Sequence, residues 1–325
     1  MDRYGRVHTD LRVSLTDRCN LRCSYCMPPE GLEWLPSPDV LSDDEVVRLV
    51  GIAVRDLGVR SVRLTGGEPL LRRGLVDLVR RLRSLQPTPE LSMTTNGIGL
   101  ARLARPLAQA GLDRVNVSLD TLRRGTFTTL ARRDRLGDVI AGLVAAREVG
   151  LWPVKVNAVL VRGVNDDEAL DLLTFCRVSG FALRFIEQMP LDAQHAWDRT
   201  SMVTAEEILA KLGARHRLTP LGGRGSAPAE DYLVDDGPTT VGVIASVTRP
   251  FCGTCDRVRL TADGQVRNCL FAREESDLRR PMRAGASDVE LAARWRASIA
   301  DKRPGHGIDD PTFLQPDRPM SAIGG

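Results

Sequence analysis

Eight residues near the start of the chain, Cys19-Asn-Leu-Arg-Cys23-Ser-Tyr-Cys26, set three thiols in a C-x3-C-x2-C array. Thiolates so closely spaced suit an iron–sulfur cluster or zinc. No fourth Cys or His lies within the loop, and the nearest histidine, His8, precedes it. A structural zinc site closes its tetrahedron with a fourth ligand, so this spacing favours a centre with an open coordination position. A disulfide pair with a spare thiol fits poorly, because nothing else here has the character of a secreted chain. A second group, Cys252-Gly-Thr-Cys255 with Cys269, again offers three thiols and no obvious fourth. A zinc ribbon lacking one ligand and a second cluster are both open readings of it. Arg257 and Arg259 follow at i, i+2 spacing, which puts both guanidinium groups on one face of a strand, where they could grip a polyphosphate. The seventh cysteine, Cys176, sits in a helix-like apolar run and reads as core.

The chain around these groups has 325 residues, 42% of them hydrophobic, enough to build a substantial core without staples. Its 45 basic and 42 acidic residues leave a net charge of +3, which gives no nucleic-acid footprint. The first ten residues lack an apolar signal core and no run reaches bilayer length, so a cytoplasmic protein without membrane contact is expected. Arginine so dominates the basic residues that the only lysines, Lys155, Lys211 and Lys302, stand out. Lys155 lies between Val154 and Val156 and is expected to point inward, where an unpaired ammonium is costly.

Six apolar, β-branched-rich runs carry these residues: 11–16, 61–65, 91–95, 114–119, 153–160 and 182–187. Helical spacing fills the intervals at 43–57, 74–85, 100–110, 135–149 and 165–178. Ser42 with Glu45, and Asn165 with Glu168, have the spacing of capping boxes. Repeated β-α units predict an α/β fold with a parallel sheet. Six units are too few for the eight-stranded barrel, so an incomplete (β/α)6 TIM-like barrel is expected, with a doubly wound sheet as competitor. Functional groups should gather past the strand ends, where the sequence places the cysteine loop, Thr65-Gly-Gly-Glu-Pro69, Thr94-Thr-Asn-Gly97, Asn116 to Asp120 and Arg184 to Met189. After residue 191 the pattern weakens into a helix at 205–212 and a Gly, Ala and Pro-rich linker at 221–230. A hairpin turning at Asp263-Gly264 should then return Cys269 towards Cys252, and a last helix spans 288–298. The chain therefore divides at 1–220 and 221–325, the second part a smaller α+β domain.

The C-x3-C-x2-C loop with an aromatic before its last cysteine, followed by Gly66-Gly67-Glu68-Pro69, resembles the radical S-adenosylmethionine superfamily. The resemblance implies a 4Fe–4S cluster on Cys19, Cys23 and Cys26, whose open iron chelates S-adenosylmethionine. One electron then yields a 5′-deoxyadenosyl radical. The opening Asp10 to Cys19, the Phe251 to Arg259 block, Asn268-Cys269-Leu-Phe and the terminal Gly-Gly resemble, over essentially the whole chain, the GTP 3′,8-cyclase subfamily that opens molybdenum cofactor biosynthesis.

That resemblance implies a second 4Fe–4S cluster on Cys252, Cys255 and Cys269 with guanine on its open iron. It implies S-adenosylmethionine contacts at Tyr25, Gly67, Ser118 and Met189. It implies GTP contacts at Arg12, Arg63, Thr94, Lys155, Arg257, Val258 and Arg259, with the triphosphate satisfying Lys155. A cavity arginine assisting catalysis matches Arg184, and the Gly324-Gly325 tail should reach into the cavity. Ser61 departs from the basic residue many relatives carry there, and Arg60 would face the other side. A flavodoxin- or ferredoxin-like electron donor and a cyclic pyranopterin monophosphate synthase downstream are the implied partners, and a homodimer is left open. Two rivals remain: a radical peptide or protein maturase with an auxiliary cluster, and a zinc-binding interaction module.

Overall fold

Along the first six strands, apolar and polar side chains alternate, and the apolar set packs beneath helices. The structure is a computed structural model that describes residues 1–324. The strands are β1 (Asp10–Ser14), β2 (Ser61–Thr65), β3 (Glu90–Thr95), β4 (Arg114–Ser118), β5 (Lys155–Val159) and β6 (Ala182–Ile186), parallel and in chain order. Between or beside them run α1 (Asp43–Leu57), α2 (Leu75–Arg83), α3 (Leu100–Gln109), α4 (Arg124–Ala131), α5 (Leu136–Glu148) and α6 (Ala169–Ser179). Leu11, Val13, Val62, Leu64, Met93, Val115, Val156 and Phe185 are fully buried and join the helices in one continuous core. A doubly wound sheet would reverse its strand order at a switch point. The unbroken order from β1 to β6 is that of a partial barrel.

The C-terminal third completes the sheet at both edges. It supplies β7 (Leu218–Pro220), β8 (Glu230–Val234), β9 (Thr240–Ile244), β10 (Arg257–Leu260), β11 (Gln265–Arg267) and β12 (Ser276–Asp277). β9 lies parallel to β6 and β10 parallel to β1, so the parallel array has eight strands although only six come from the β-α repeats. Antiparallel β8 and β7 extend one side, and β11 and β12 the other, to a sheet of twelve. The expected hairpin forms, with Arg259 opposite Arg267. The helices of this part are α7 (Ala205–Gly213), α8 (Arg279–Arg283), α9 (Asp288–Ala300) and α10 (Met320–Ile323).

Ser42 and Glu45 make the expected capping box at the start of α1. Asn165 and Glu168 do not, because each side chain has partners outside the helix. The Asn165 amide donates to the carbonyls of Asp120 and Val159, at 2.7 and 3.0 Å. Glu168 accepts from Thr121 Oγ1 at 2.6 Å and from the Leu122 amide at 3.0 Å, and α6 starts only at Ala169.

Glu168 is one of three fully buried glutamates that join strand ends to neighbouring segments. Glu68 accepts from Thr95 Oγ1 and the amides of Asn96 and Leu70, tying the end of β2 to the end of β3. Glu187 accepts from the amides of Ala205, Val247 and Thr248 at 2.8 to 2.9 Å, and from Thr248 Oγ1. Truncating such a group strands buried donors. Glu187→Ala is therefore expected to lower stability by about 3 kcal/mol in chemical denaturation, and Glu187→Gln, which still accepts, by less.

Candidate active site

The cysteine loop is held from three directions. Leu15 N–H donates to Thr65 O, Gly67 N–H to Thr16 O and Glu68 N–H to Arg18 O, so the pairing of β1 with β2 continues into the stretch that ends at Cys19. Gly66 has φ +136°, and a Cβ there or on Gly67 would overlap the carbonyl oxygens of Thr16 or of Asp17 and Arg18. The glycines are thus required by the cysteine loop itself. The Glu68 carboxylate is buried among the strand ends, and burial lifts it to about 7.

Support from the second direction comes from α4, which the periodicity did not reveal because Arg124–Ala131 is mostly polar or small. Its last carbonyls, Leu130 O and Ala131 O, accept from the amides of Ser24 and Arg22 at 2.8 and 3.0 Å. Arg132, just beyond, donates to Met27 O at 2.9 Å. From the third direction, Tyr25 Oη donates to Asp120 Oδ2 at 2.5 Å. Burial raises Asp120 to about 6. Asp120 and Asn96 were not singled out from sequence as site residues, although both lie in the strand-end segments where function was expected.

All three thiols line one cavity of ≈ 170 Å³ with Gly66, Gly67, Thr94, Ser118, Tyr25 and Asp120. Burial, then the neighbouring thiol Cys19, pushes Cys26 up to about 12. Burial and Cys26 likewise raise Cys23 far above the usual range. None of the chain's cysteines is in a disulfide. Among the described residues no three His, Cys, Asp or Glu side chains converge on a single ion position. Three free thiols spread around one cavity wall, beside backbone that a ligand could reach, are a donor set suited to a cluster.

The second triad has its own cavity, ≈ 80 Å³, which Cys252, Cys255 and Cys269 share with Arg257, Arg259 and Met189. Met189, expected near the first triad, is thus found beside the second, and Thr94, expected with the GTP contacts, opens on the first. Cys252 and Cys255 flank one 3₁₀ turn, and Cys269 follows β11, with Asn268 tied to Ser298 O of α9 at 2.8 Å. From the N-terminus, Arg6 donates to Cys252 O and Arg303 O, both at 2.7 Å. Cys255 is held below its ordinary value: burial would raise it, but Arg257 and Lys302 outweigh that.

The polar residues of the strands form the inner face of the sheet. Register sets Arg259, Arg12, Arg63, Ser92 and Arg114 side by side across five strands. Lys155 pairs with Asn116, and Arg184 with Asn157. Burial and then Arg12 lower Arg63 to about 9, while burial and then Arg184 lower Lys155 to about 8. Burial alone would raise Asp10, but Arg12, Arg63, Arg257 and Arg259 together hold it below the usual carboxylate range. Arg12 Nε, Arg257 Nε, Ser14 Oγ, Asn116 Oδ1 and Asn157 Oδ1 are buried without a hydrogen-bond partner. Val258 is the exception among the expected contacts, since its buried side chain pairs with Leu11 on the apolar face and leaves only its backbone to serve.

The tail enters this space. Arg318 holds Asp263 through two bonds, at 2.9 and 2.7 Å, and the Met320 amide donates to Leu191 O. Met320 and Ser321 line the first cavity, and Gly324 O accepts from Arg259, which lines the second. A Cβ on Gly324 would overlap the hydroxyls of Ser14 and Thr65. Gly325 lies outside the described residues.

A partial barrel with a three-thiol loop after its first strand and a Gly-Gly turn after its second defines a radical S-adenosylmethionine protein. Residues 13–176 match the Radical SAM superfamily, and residues 181–308 match Molybdenum Cofactor Synthesis C. Over the full chain the sequence is 66% identical to a GTP 3′,8-cyclase of Streptomyces coelicolor, covering 96% of that protein. It is 59% identical to GTP 3′,8-cyclase 2 of Mycobacterium tuberculosis, covering 92% of it. The chain belongs to the GTP 3′,8-cyclase family. Among solved structures, Streptococcus suis SuiB bound to S-adenosylmethionine shares the fold, with a TM-score of 0.60 at 15% identity over 91% of this chain and 68% of that one.

Because Gly67 packs against backbone rather than a movable side chain, Gly67→Ala must displace the turn or the loop. We expect the variant to bind S-adenosylmethionine at least about tenfold more weakly in equilibrium dialysis, with the far-ultraviolet spectrum of the fold retained.

Proposed function

We propose that the protein cyclises GTP to (8S)-3′,8-cyclo-7,8-dihydroguanosine 5′-triphosphate, the first step of molybdenum cofactor biosynthesis, a lyase reaction that uses S-adenosylmethionine. The observation that carries this reading is the inner sheet face, where six cations, Arg12, Arg63, Lys155, Arg184, Arg257 and Arg259, are gathered with only three acids, Asp10, Asp231 and Asp256, placed to favour their charge. Buried cations in such number need an anion, and a triphosphate with its three charged groups supplies one. A peptide substrate gives no account of them.

Two 4Fe–4S clusters are assigned, one on Cys19, Cys23 and Cys26 and an auxiliary one on Cys252, Cys255 and Cys269. When bound, the first supplies the electron that converts S-adenosylmethionine to the radical that takes the C3′ hydrogen of GTP. The chain's own residues do the rest. Tyr25, Gly67 and Ser118 line the cofactor's side of the cavity, where Gly67 leaves its backbone accessible. Arg12, Arg63 and Lys155 hold the phosphates from β1, β2 and β5, while Arg257 and Arg259 grip from β10, with the Val258 backbone between them. Thr94 and Met189 stand at the two ends of the substrate's seat. Arg184, next to Asp231, and the tail up to Gly324, which accepts from Arg259, close the cavity over the reacting ribose. The product passes to a cyclic pyranopterin monophosphate synthase, and a flavodoxin- or ferredoxin-like protein delivers electrons. Among the described residues no helix is long and apolar enough to cross a membrane.

Reconstituted anaerobically with reductant and S-adenosylmethionine, the protein should release 5′-deoxyadenosine with GTP and not with ATP or peptides; equal release with ATP would overturn the assignment. Replacing all three cysteines of either triad by serine should remove about half of the bound iron. GTP affinity should also depend on pH with a defined sign. The triphosphate favours charged Lys155, whose ordinary value is already lowered to about 8. Binding therefore takes up a proton above that pH, and affinity falls as pH rises through it. Between pH 7 and pH 9 the Kd should weaken about tenfold, and Lys155→Met should bind weakly at both.

A further inference from the structure

In a chain with 45 basic residues and only three lysines, Lys302 is one of the most deeply buried basic side chains, 3% exposed just beyond α9. Its ammonium makes three contacts, and they match its three protons. Nζ donates to Arg257 O at 2.6 Å, to Cys255 O at 3.2 Å and to Cys255 Sγ at 3.3 Å. The first two fix the backbone on either side of Asp256, and the third reaches the thiol itself. A planar guanidinium cannot direct three donors to one apex in this way, which is a physical reason for lysine here when arginine is used almost everywhere else.

The surroundings give this charge few other partners. Neighbouring His8 is pushed down to about 4 by burial and by Lys302, and is therefore neutral. Arg6 is paired with Asp2 at 2.6 Å. The one side-chain atom to which its ammonium donates, among the described residues, is Cys255 Sγ. A buried cation is costly unless a nearby anion compensates it.

We propose that Lys302 is the positioning residue of the second metal centre: it holds Cys255 in its ligand geometry and, through its N–H···S contact, stabilises the reduced centre relative to the oxidised one. The inference rests on the assignment of an auxiliary cluster to Cys252, Cys255 and Cys269. A positive charge and a hydrogen bond at a ligand sulfur both favour the more negative state, so they raise the reduction potential. Lys302 touches no reacting atom. It acts through Cys255.

The test uses the full chain with Cys19, Cys23 and Cys26 replaced by serine, so that only the second centre gives a signal, reconstituted with iron and sulfide. Dithionite supplies one electron per cluster in a titration followed by electron paramagnetic resonance, with Lys302, Lys302→Met and Lys302→Arg compared. In Lys302→Met the ratio of reduced to oxidised centre at a fixed potential should fall about tenfold, a shift of about 59 mV for one electron. Lys302→Arg keeps the charge and should move by less than half as much, while losing iron faster to a chelator because Cys255 is less well held. Failure of Lys302→Met to take up iron, with Lys302→Arg still doing so and both folded by circular dichroism, also supports the proposal. A Lys302→Met centre with unchanged potential and unchanged iron retention overturns it. If the chain with Lys302 intact takes up no iron at the second triad, the cluster assignment itself fails, and the role of Lys302 with it.

Discussion

A parallel sheet normally hides both of its faces, which is why strands of this kind usually read as continuous apolar runs. Here one face carries arginines and a lysine in adjoining registers, and Arg12, Arg63 and Lys155 are all lowered by their own burial. That face cannot become core, since its cations outnumber Asp10, Asp231 and Asp256, the acids placed to favour them. The sheet must therefore curl around a space, and the space must be reachable by something negative. The open partial barrel, the strands added at its edges and the tail that enters from above are all ways of enclosing such a face without filling it.

Holding a cavity open against collapse requires rigid strand ends, and the buried glutamates supply them. Glu68, Glu168 and Glu187 each accept several donors from a neighbouring segment, so the loops that carry function are fixed by hydrogen bonds to buried carboxyl groups rather than by apolar packing. The loop of Cys19 to Cys26 gains a further constraint from the carbonyl end of α4. Its partial negative charge is turned towards the amides of Arg22 and Ser24 and leaves the thiols free to face the cavity. Geometry at the metal site is thus set by groups that are not themselves ligands.

Much of this was legible in the sequence because the signals are local. Thiol spacing, the Gly66-Gly67 turn and the β-α alternation each occupy a few residues, and β2 and α1 fall where their patterns end. What escaped was long-range. Nothing in Thr240–Ile244 or Arg257–Leu260 says that these strands pair in parallel with β6 and β1 from opposite sides, because register between distant segments has no local signature. Asn165 and Glu168 had the spacing of a cap but found better partners in the loop after β4. α4 was hidden because only Phe127, Leu130 and Ala131 among its residues are buried. Lys302 was visible as an oddity of composition, but its meaning depended on the position of Cys255.

The placement of β9 and β10 also bears on how the molecule is made. Ribosomes deliver the six repeat strands first, and both outer edges of that array stay unpaired until the segment around residues 240–260 has emerged. Exposed edges invite pairing with other chains, so the nascent protein passes through a stage in which it is prone to aggregate or in need of a chaperone. The first thiol triad is synthesised before all of these strands but the first, and long before Ser321, which lines the same cavity. The thiols are therefore present on the growing chain while the cavity still lacks the wall that Met320 and Ser321 supply.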